Sequence, residues 1–320
     1  MTRNGILCET AKSKVFLDPK NTDSTGINFV SHAHMDHLPS KNGGLILSSF
    51  ETNKIANLRG FRMENHVDQL ENFRLLDSGH ILGSKGLFFE DIFYTGDICT
   101  RTRGFLSGAK IPKCKTLITE CTFGLPEFVF PKIDEIKKNV NEIISELYSK
   151  GIPVILMGYQ LGKAQTITQL FDHWSPMYFH DSIKEMNELH QQLGVKLNQG
   201  MGHSEAQKMG LLDKKPWIMV APLMSEKNDF LKDMKSKYGA VTIGFSGWAK
   251  SSKFSFGRRT DYSIPMSDHC DFDELVNLVL KSEAEQVYTI HGFVEEFATH
   301  LQKLGIKASP LRENSLDEFI

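Results

Sequence analysis

Six consecutive residues, His32-Ala33-His34-Met35-Asp36-His37, restrict this chain more than any other feature. Three imidazoles and a carboxylate at that density suit a zinc site and are rare in ordinary solvated loops. The run follows an apolar stretch, residues 27–30, that reads as a strand, so these side chains stand where a strand opens into a loop. Residues two apart on an extended segment share a side, so His32 and His34 can grip one ion together. Asp36 and His37, just past the strand, can turn to a second. A zinc site needs at least three protein ligands, so more must return to this point from downstream.

Three later segments offer them. His80 lies in Asp77-Ser78-Gly79-His80-Ile81-Leu82-Gly83-Ser84, where flanking glycines permit close backbone approach. Asp97, in Thr95-Gly96-Asp97, follows the strand-like residues 92–94 and could bridge two cations. His291, in Ile290-His291-Gly292, follows another strand-like run. Taken singly, a strand-end His or Asp is more often a turn former or a structural residue. Their order and contexts together favour ligation.

The periodicity of the chain changes after Pro131. Before it, short β-type runs alternate with polar turns at 15–17, 27–30, 44–47, 86–89, 92–94 and 115–119, the last followed by Glu120. After it, Ile133, Ile136, Val140, Ile143, Ile144 and Leu147 recur at three- and four-residue steps and predict an amphipathic helix over 132–150. Strand-like runs at 153–157, 177–180, 217–221 and 241–245 then alternate with helical segments at 162–174 and 182–193, the pattern of βα units on a parallel sheet. A helix over 271–281, a strand over 286–290 and a helix over 294–304 close the chain. The expectation is a strand-rich first region, an inserted α/β region, and a return to the first.

At 320 residues, with 40% hydrophobic and 24% charged, the chain can bury a core without disulfides. Its five cysteines (Cys8, Cys99, Cys114, Cys121, Cys270) form no CxxC pair and point to a reducing compartment. Residues 1–19 carry charges throughout and show no apolar leader, and no run approaches a membrane span. A soluble, cytoplasmic protein without a membrane partner is expected. The net charge of −2 argues against a protein that coats nucleic acid, yet a basic groove can sit on a neutral chain.

The HxHxDH run, the Gly-His-x-Leu-Gly-Ser segment and the Thr-Gly-Asp segment resemble the metallo-β-lactamase superfamily, which also holds thioesterases, lactonases and β-lactamases. Three further segments narrow the resemblance. Thr119-Glu120-Cys121-Thr122-Phe123-Gly124 resembles motif A of the β-CASP nucleases, Ser267-Asp268-His269-Cys270-Asp271 their motif B, and Ile290-His291-Gly292 their motif C. Gly158-Tyr159-Gln160-Leu161-Gly162-Lys163-Ala164-Gln165 is similar to a segment of ligase-associated DNA exonucleases and related archaeal processing factors. The chain departs from the pattern at Cys121, where a small serine-like residue is usual, and at Cys270, where alanine is common. The same glycine-rich segment is not a P-loop: three residues separate its glycines, and Ala164 follows the Lys.

The resemblance implies an αββα sandwich (residues 1–125 and 263–320) with an inserted α/β β-CASP cap (126–262). It implies a hydrolase using two Zn2+, with Mn2+ or Mg2+ able to substitute. One ion would take His32, His34, His80 and Asp97, and the other Asp36, His37, Asp97 and His291. His269, held by Glu120, would protonate the leaving 3′ oxygen, so the catalytic set is His269, Glu120 and Asp36. The substrate implied is nucleic acid, with DNA repair or processing ahead of RNA processing. Motifs A to C and the cap speak against a small-molecule hydrolase such as a thioesterase, and the full ligand set against an inactive nucleic-acid-binding scaffold.

Substrate contacts are less marked. Lys163, at a glycine-rich helix start, is a candidate for a single phosphate contact. Arg258 and Arg259, with Lys250 and Lys253, could follow the phosphate backbone, as could Arg101, Arg103, Lys110, Lys113 and Lys115. Solvated surface is the competing reading for both groups. Tyr159, Phe245 and Trp248 could stack on bases, although core packing is the commoner role of such side chains.

Overall fold

A computed structural model describes residues 5–41, 43–250 and 260–311. These fall into two compact units. The first comprises described residues within Met1–Thr102, Leu106–Val129 and His269–Ile320, and the second those within Arg103–Phe105 and Phe130–Asp268.

The chain begins in the first unit with strands β1 (Ile6–Glu9), β2 (Lys14–Leu17), β3 (Ile27–Phe29) and β4 (Leu45–Leu47), helix α1 (Phe50–Leu58), and strands β5 (His66–Val67), β6 (Arg74–Asp77), β7 (Lys85–Phe89), β8 (Ile92–Tyr94) and β9 (Thr116–Cys121). In the second unit follow α2 (Ile133–Ser149), β10 (Val154–Gly158), α3 (Lys163–Leu170), β11 (Met177–Phe179), α4 (Asp181–Gln192), β12 (Met201–Gly202), α5 (His203–Lys208), β13 (Ile218–Pro222), α6 (Asp229–Tyr238), β14 (Val241–Phe245) and β15 (Tyr262–Ile264). The chain then returns to the first unit with α7 (Phe272–Ser282), β16 (Gln286–Gly292), α8 (Val294–Lys303) and β17 (Ala308–Pro310).

The first unit holds two sheets, β1-β2-β3-β4-β5 and β17-β16-β9-β8-β7-β6. They pack face to face: Val15, Leu17, Phe29 and Leu47 of one meet Leu87, Phe89, Tyr94, Ile118 and Ile290 of the other. The opposite face of the second sheet, with Phe93, Leu117 and Val287, is covered by Leu275, Leu278 and Val279 of α7 and Phe297 and Leu301 of α8. Neighbouring residues of one strand thus serve different layers, as the two-residue period of a strand requires. Helix α7 starts cleanly because Asp271 accepts from the Glu274 amide while Glu274 reaches back to the Asp271 amide. The middle strands β8, β9 and β16 run parallel, so their C-terminal ends open onto one edge.

The second unit is a parallel sheet in the order β12-β11-β13-β10-β14-β15. Strand β10 is buried along its whole length, the mark of a sheet covered on both faces. Its Val154 and Leu156 face α2, α3 and α4, whereas Ile155 and Met157 face α5 and α6. On α2 the buried side chains are Ile136, Val140, Ile144 and Leu147, one stripe of the helix. Gly151, at φ +69°, follows the end of that helix in the left-handed conformation that a glycine tolerates.

The helix expected over 132–150 and the strands read at 153–157 and 241–245 stand within one residue of their places. Helices α1 and α6 and strands β1 and β6 have no counterpart in the periodicity reading. Helix α6 hides because its buried residues, Leu231, Met234 and Tyr238, lie among lysines and aspartates. Among the described residues no helix is long and apolar enough to cross a membrane.

Candidate metal centre

The ligand candidates, Asp18, Glu120 and His269 all belong to the first unit. The run that begins at His32 starts three residues after Phe29, the end of β3; Asp97 follows β8, Glu120 lies near the end of β9, and His291 near the end of β16. Two glycines let the loops converge. Gly96 sits at φ +54°, and a Cβ there would stand 2.6 Å from the Ser31 Cβ. Gly79, at φ +69°, would place a Cβ 2.4 Å from the Cys99 carbonyl oxygen. A side chain at either would push apart the segments carrying His32, His80 and Asp97.

One ligand atom each from His32, His34, His80 and Asp97 lies within 4.8 Å of the others. His34 Nδ1 is 3.0 Å from His32 Nε2 and 3.1 Å from His80 Nε2. Asp97 Oδ2 is 3.4 Å from His32 Nε2 and 3.5 Å from His80 Nε2. A tetrahedral zinc with bonds of about 2.0–2.1 Å has ligand-to-ligand edges of about 3.3 Å, so the spacing suits such an ion. His32 is fully buried, and burial, followed by the neighbouring His37, His34, His80 and His269, holds its pKa well below the usual value. It is therefore the neutral imidazole that ligation requires.

The hydrogen bonds fix which nitrogen faces inward. The carboxylate of Asp18 accepts from the Ser31 amide at 2.6 Å, the Ser31 hydroxyl at 2.6 Å and the Tyr94 hydroxyl at 2.7 Å. The single proton of the Ser31 hydroxyl is thereby used. His32 Nδ1, 2.9 Å from Ser31 Oγ, must donate to it, which leaves the Nε2 lone pair directed at the centre. His37 Nδ1 likewise donates to Asp18 at 2.8 Å and exposes its own Nε2 lone pair. Asp18 has no place in the motif reading, because a lone aspartate 14 residues ahead of the histidine run carries no local signal. Burial raises its pKa, but His37 and the Ser31 hydrogen bonds outweigh that and lower it.

A second group forms beside the first. His37 Nε2 stands 3.5 Å from Asp97 Oδ1 and 3.7 Å from Asp36 Oδ2, and the His291 ring centroid is 5.4 Å from that of His37. Asp36 is largely exposed and His291 exposed, so this set is the more open. His291 reaches its place through a break in the β9–β16 register, where the pairing skips from Ile290 to Gly292. Its φ of +52° is a conformation non-glycine residues rarely hold. Cys121 helps to hold the break, its thiol 3.3 Å from the Ile290 carbonyl and 3.1 Å from that of His291. Burial alone would lower the His37 pKa, yet Asp97, Asp18 and Asp36 raise it to about 10. These carboxylates call for a positive charge here, which a proton or a metal ion supplies.

His269 lies at the edge of the same centre, its ring centroid 4.5 Å from that of His80. Its Nδ1 is 2.8 Å from Glu120 Oε1. The Glu120 carboxylate also accepts from the Ile98 amide at 2.8 Å, the Thr122 amide at 3.2 Å and the Thr122 hydroxyl. Burial raises the Glu120 pKa, but His269 and these donors lower it overall. An ionised Glu120 holds the His269 N–H at Nδ1 and leaves Nε2 for chemistry.

The proposed substrate contacts are placed differently. Lys163, in the second unit, is 2% exposed, with Nζ 2.9 Å from Asp268 Oδ2 and donating to the Met266 carbonyl. Both of these partners lie inside that unit. Arg103 is buried against Asp268 at 2.6 Å. Lys113 pairs with Glu283 and Lys115 with Asp91 on the exposed surface of the first unit. Arg258 and Arg259 lie outside the described residues. Phe245 is core, whereas Tyr159 is exposed.

No protein-family model matches the chain. It is 26% identical over 303 residues to a protein named probable DNA ligase from Opitutus terrae, covering 90% of this chain and 29% of that one. It is 27% identical over 223 residues to an RNase J-like protein of Methanocaldococcus jannaschii, covering 53% of this chain and 52% of the relative. The transcription termination factor FttA of the same organism is 29% identical over 133 residues, covering 36% of this chain and 21% of that protein. The chain thus spans about half or less of the length of these relatives. Among solved structures, a protein of unknown function from Enterococcus faecalis superposes with a TM-score of 0.59 at 15% identity, over 90% of this chain and 79% of that one. That likeness concerns the fold alone.

Proposed function

We propose that this chain is a metal-dependent nuclease of the β-CASP branch of the metallo-β-lactamase fold, and that it cuts DNA. The observation that carries the reading is the juxtaposition of a four-donor set at tetrahedral spacing with a histidine, His269, whose Nδ1 is locked by a buried carboxylate. In this reading the first unit is the catalytic domain and the second the cap. DNA is placed first because the relative matching 90% of the chain is named a probable DNA ligase. RNA is the second reading, because other relatives are named RNase J-like and transcription termination factor.

The residues divide the work. His32, His34, His80 and Asp97 would hold one divalent cation, and Asp36, His37, Asp97 and His291 a second. Bound there, two such ions supply charge neutralisation and water activation. Asp18 and Ser31 keep His32 and His37 in the ligand tautomer. His269 gives the proton at Nε2 to the departing 3′ oxygen, while Glu120 compensates the charge of the doubly protonated ring. Proton donation of this kind is worth about 10²–10⁴ in rate.

The test is the purified chain with zinc or manganese on end-labelled single-stranded DNA and RNA of one sequence. Metal-dependent release of nucleotides from DNA is expected. Preference for RNA would move the assignment to the second reading, and cleavage of neither would overturn the nuclease. Asp97→Ala, which removes the carboxylate shared by both sets, should abolish cleavage and leave the melting curve largely in place; full activity in that variant would sink the ligand assignment.

A further inference from the structure

Arg101 stands in the basic run that follows Asp97, yet its bonds set it apart from the surface lysines nearby. Its Nη1 donates to Glu274 Oε2 at 2.6 Å and lies 3.3 Å from Asp271 Oδ2. Its Nη2 donates to the main-chain oxygen of His269 at 2.7 Å. Asp271 and Glu274 are the two halves of the α7 cap, joined by bonds of 2.9 and 3.0 Å between each side chain and the other's amide. One edge of the guanidinium is therefore fastened to the rigid start of a helix, and the other to the peptide that carries the His269 ring.

The intervening backbone is stitched to the same place. Ile98 lies between Asp97 and Arg101. Its amide donates to Glu120 Oε1 at 2.8 Å, and its carbonyl accepts from the Cys270 amide at 2.7 Å. One short segment thus begins on a candidate metal ligand, passes the partner of the His269 ring, and ends on the His269 carbonyl.

We infer that Arg101 is a positioning residue that holds His269 in register with the metal centre. The inference rests on the reading of His269 as the proton donor to the leaving group. Glu120 holds the ring at Nδ1. Arg101 holds the peptide from which that ring projects, so backbone and ring are fixed against the same segment. A guanidinium suits the task because its planar fork reaches two acceptors in fixed directions, whereas an ammonium is a single point charge on a flexible stem. With its side chain only 22% exposed and both terminal nitrogens bonded within the unit, Arg101 is better placed for this role than for the phosphate backbone.

The prediction concerns leaving groups. A phosphodiester of an oligonucleotide departs as an alkoxide and needs the proton, whereas a nitrophenyl phosphodiester departs as a stable phenolate and does not. Wild type, His269→Ala, Arg101→Gln and Arg101→Lys are compared on both, with bound metal and melting temperature measured in parallel. Misplacing a reacting group by about 1 Å costs about 100-fold. Arg101→Gln should accordingly lose about 100-fold in kcat on the oligonucleotide, with KM and the nitrophenyl reaction within a few-fold of wild type. Arg101→Lys keeps a cation at the helix cap and should fold even if the Gln variant does not; it should show the same selective loss in weaker form. Adding Arg101→Gln to His269→Ala should cost nothing more on the oligonucleotide. Equal losses on both substrates in the Arg101 variants, or additive losses in the double variant, would overturn the inference. Equal losses on both in His269→Ala would remove the acid it rests on, and a wild type inert on both would remove the nuclease reading itself.

Discussion

Asp18→Asn is the sharpest probe of the centre, because it changes one atom and no volume. The carboxylate is 5% exposed and takes part in four hydrogen bonds, all as acceptor. An asparagine offers one oxygen and one NH2 group. If the oxygen stays with the Ser31 amide, the NH2 faces the Ser31 hydroxyl, the Tyr94 hydroxyl and His37 Nδ1, all of which now donate. The hydroxyls can rotate, but His37 can adapt only by moving its proton to Nε2, the atom 3.5 Å from Asp97. That proton occupies the lone pair a metal would use. Loss of such a supporting partner typically lowers metal affinity 10–100-fold, about 1.4–2.7 kcal/mol. If the amide turns over instead, the buried Ser31 N–H is opposed by another donor, at a stability cost of about 1–3 kcal/mol. Competition for zinc against a chelating dye separates the two cases, with thermal melting beside it. Either one metal equivalent weakens at an unchanged melting point, or the melting point falls with affinity kept. Two equivalents bound at wild-type affinity together with wild-type stability would refute the tautomer argument.

Other consequences are more local. Gly96→Ala should cut metal affinity by tenfold or more, because its Cβ would meet the Ser31 Cβ at 2.6 Å on a φ of +54°; an unchanged zinc titration would show that the loop yields. Ile144→Ala, in the core of the second unit, should cost about 2–5 kcal/mol in urea unfolding, and a loss well under 1 kcal/mol would contradict the packing described. Burial lowers the His190 pKa to about 4, against an ordinary 6.5, with Nδ1 bound to the Met186 carbonyl. Below pH 6.5 the unfolded chain takes up a proton that the folded one refuses until about pH 4, so stability falls across that window by about 3 kcal/mol. His190→Leu should flatten this acid limb in urea titrations at pH 7 and 4.5, and an identical slope would refute the assignment.

The legible parts of the chain were those whose signal is local. The stripe of Ile136, Val140, Ile144 and Leu147 announces α2 because a helix repeats its environment every three to four residues. The continuous apolar run of β10 announces a strand covered on both faces. The ligand candidates from His32 to His37 were visible because four such side chains sit within six positions. Helix α6 was not visible, since its buried Leu231, Met234 and Tyr238 are outnumbered by solvated lysines and aspartates. Strand β6 is only partly buried and carries no clear alternation.

Charge is the property least legible along the chain, and for one cause. A run of lysines and arginines records where positive charge lies along the chain, not what it meets in space. Arg101 meets Asp271 and Glu274 from 170 and more residues away, while Arg103 and Lys163 both meet Asp268. Burying an ion unpaired costs several kcal/mol, so a buried arginine is strong evidence for a partner and weak evidence for a ligand. The same reasoning works in reverse for the acids. Asp18 looks like an ordinary turn residue in sequence, yet its burial against His37, Ser31 and Tyr94 makes it the residue that sets the protons of the centre. Its role follows from counting donors around one carboxylate, an argument that needs positions in space and that no spacing along the chain could supply.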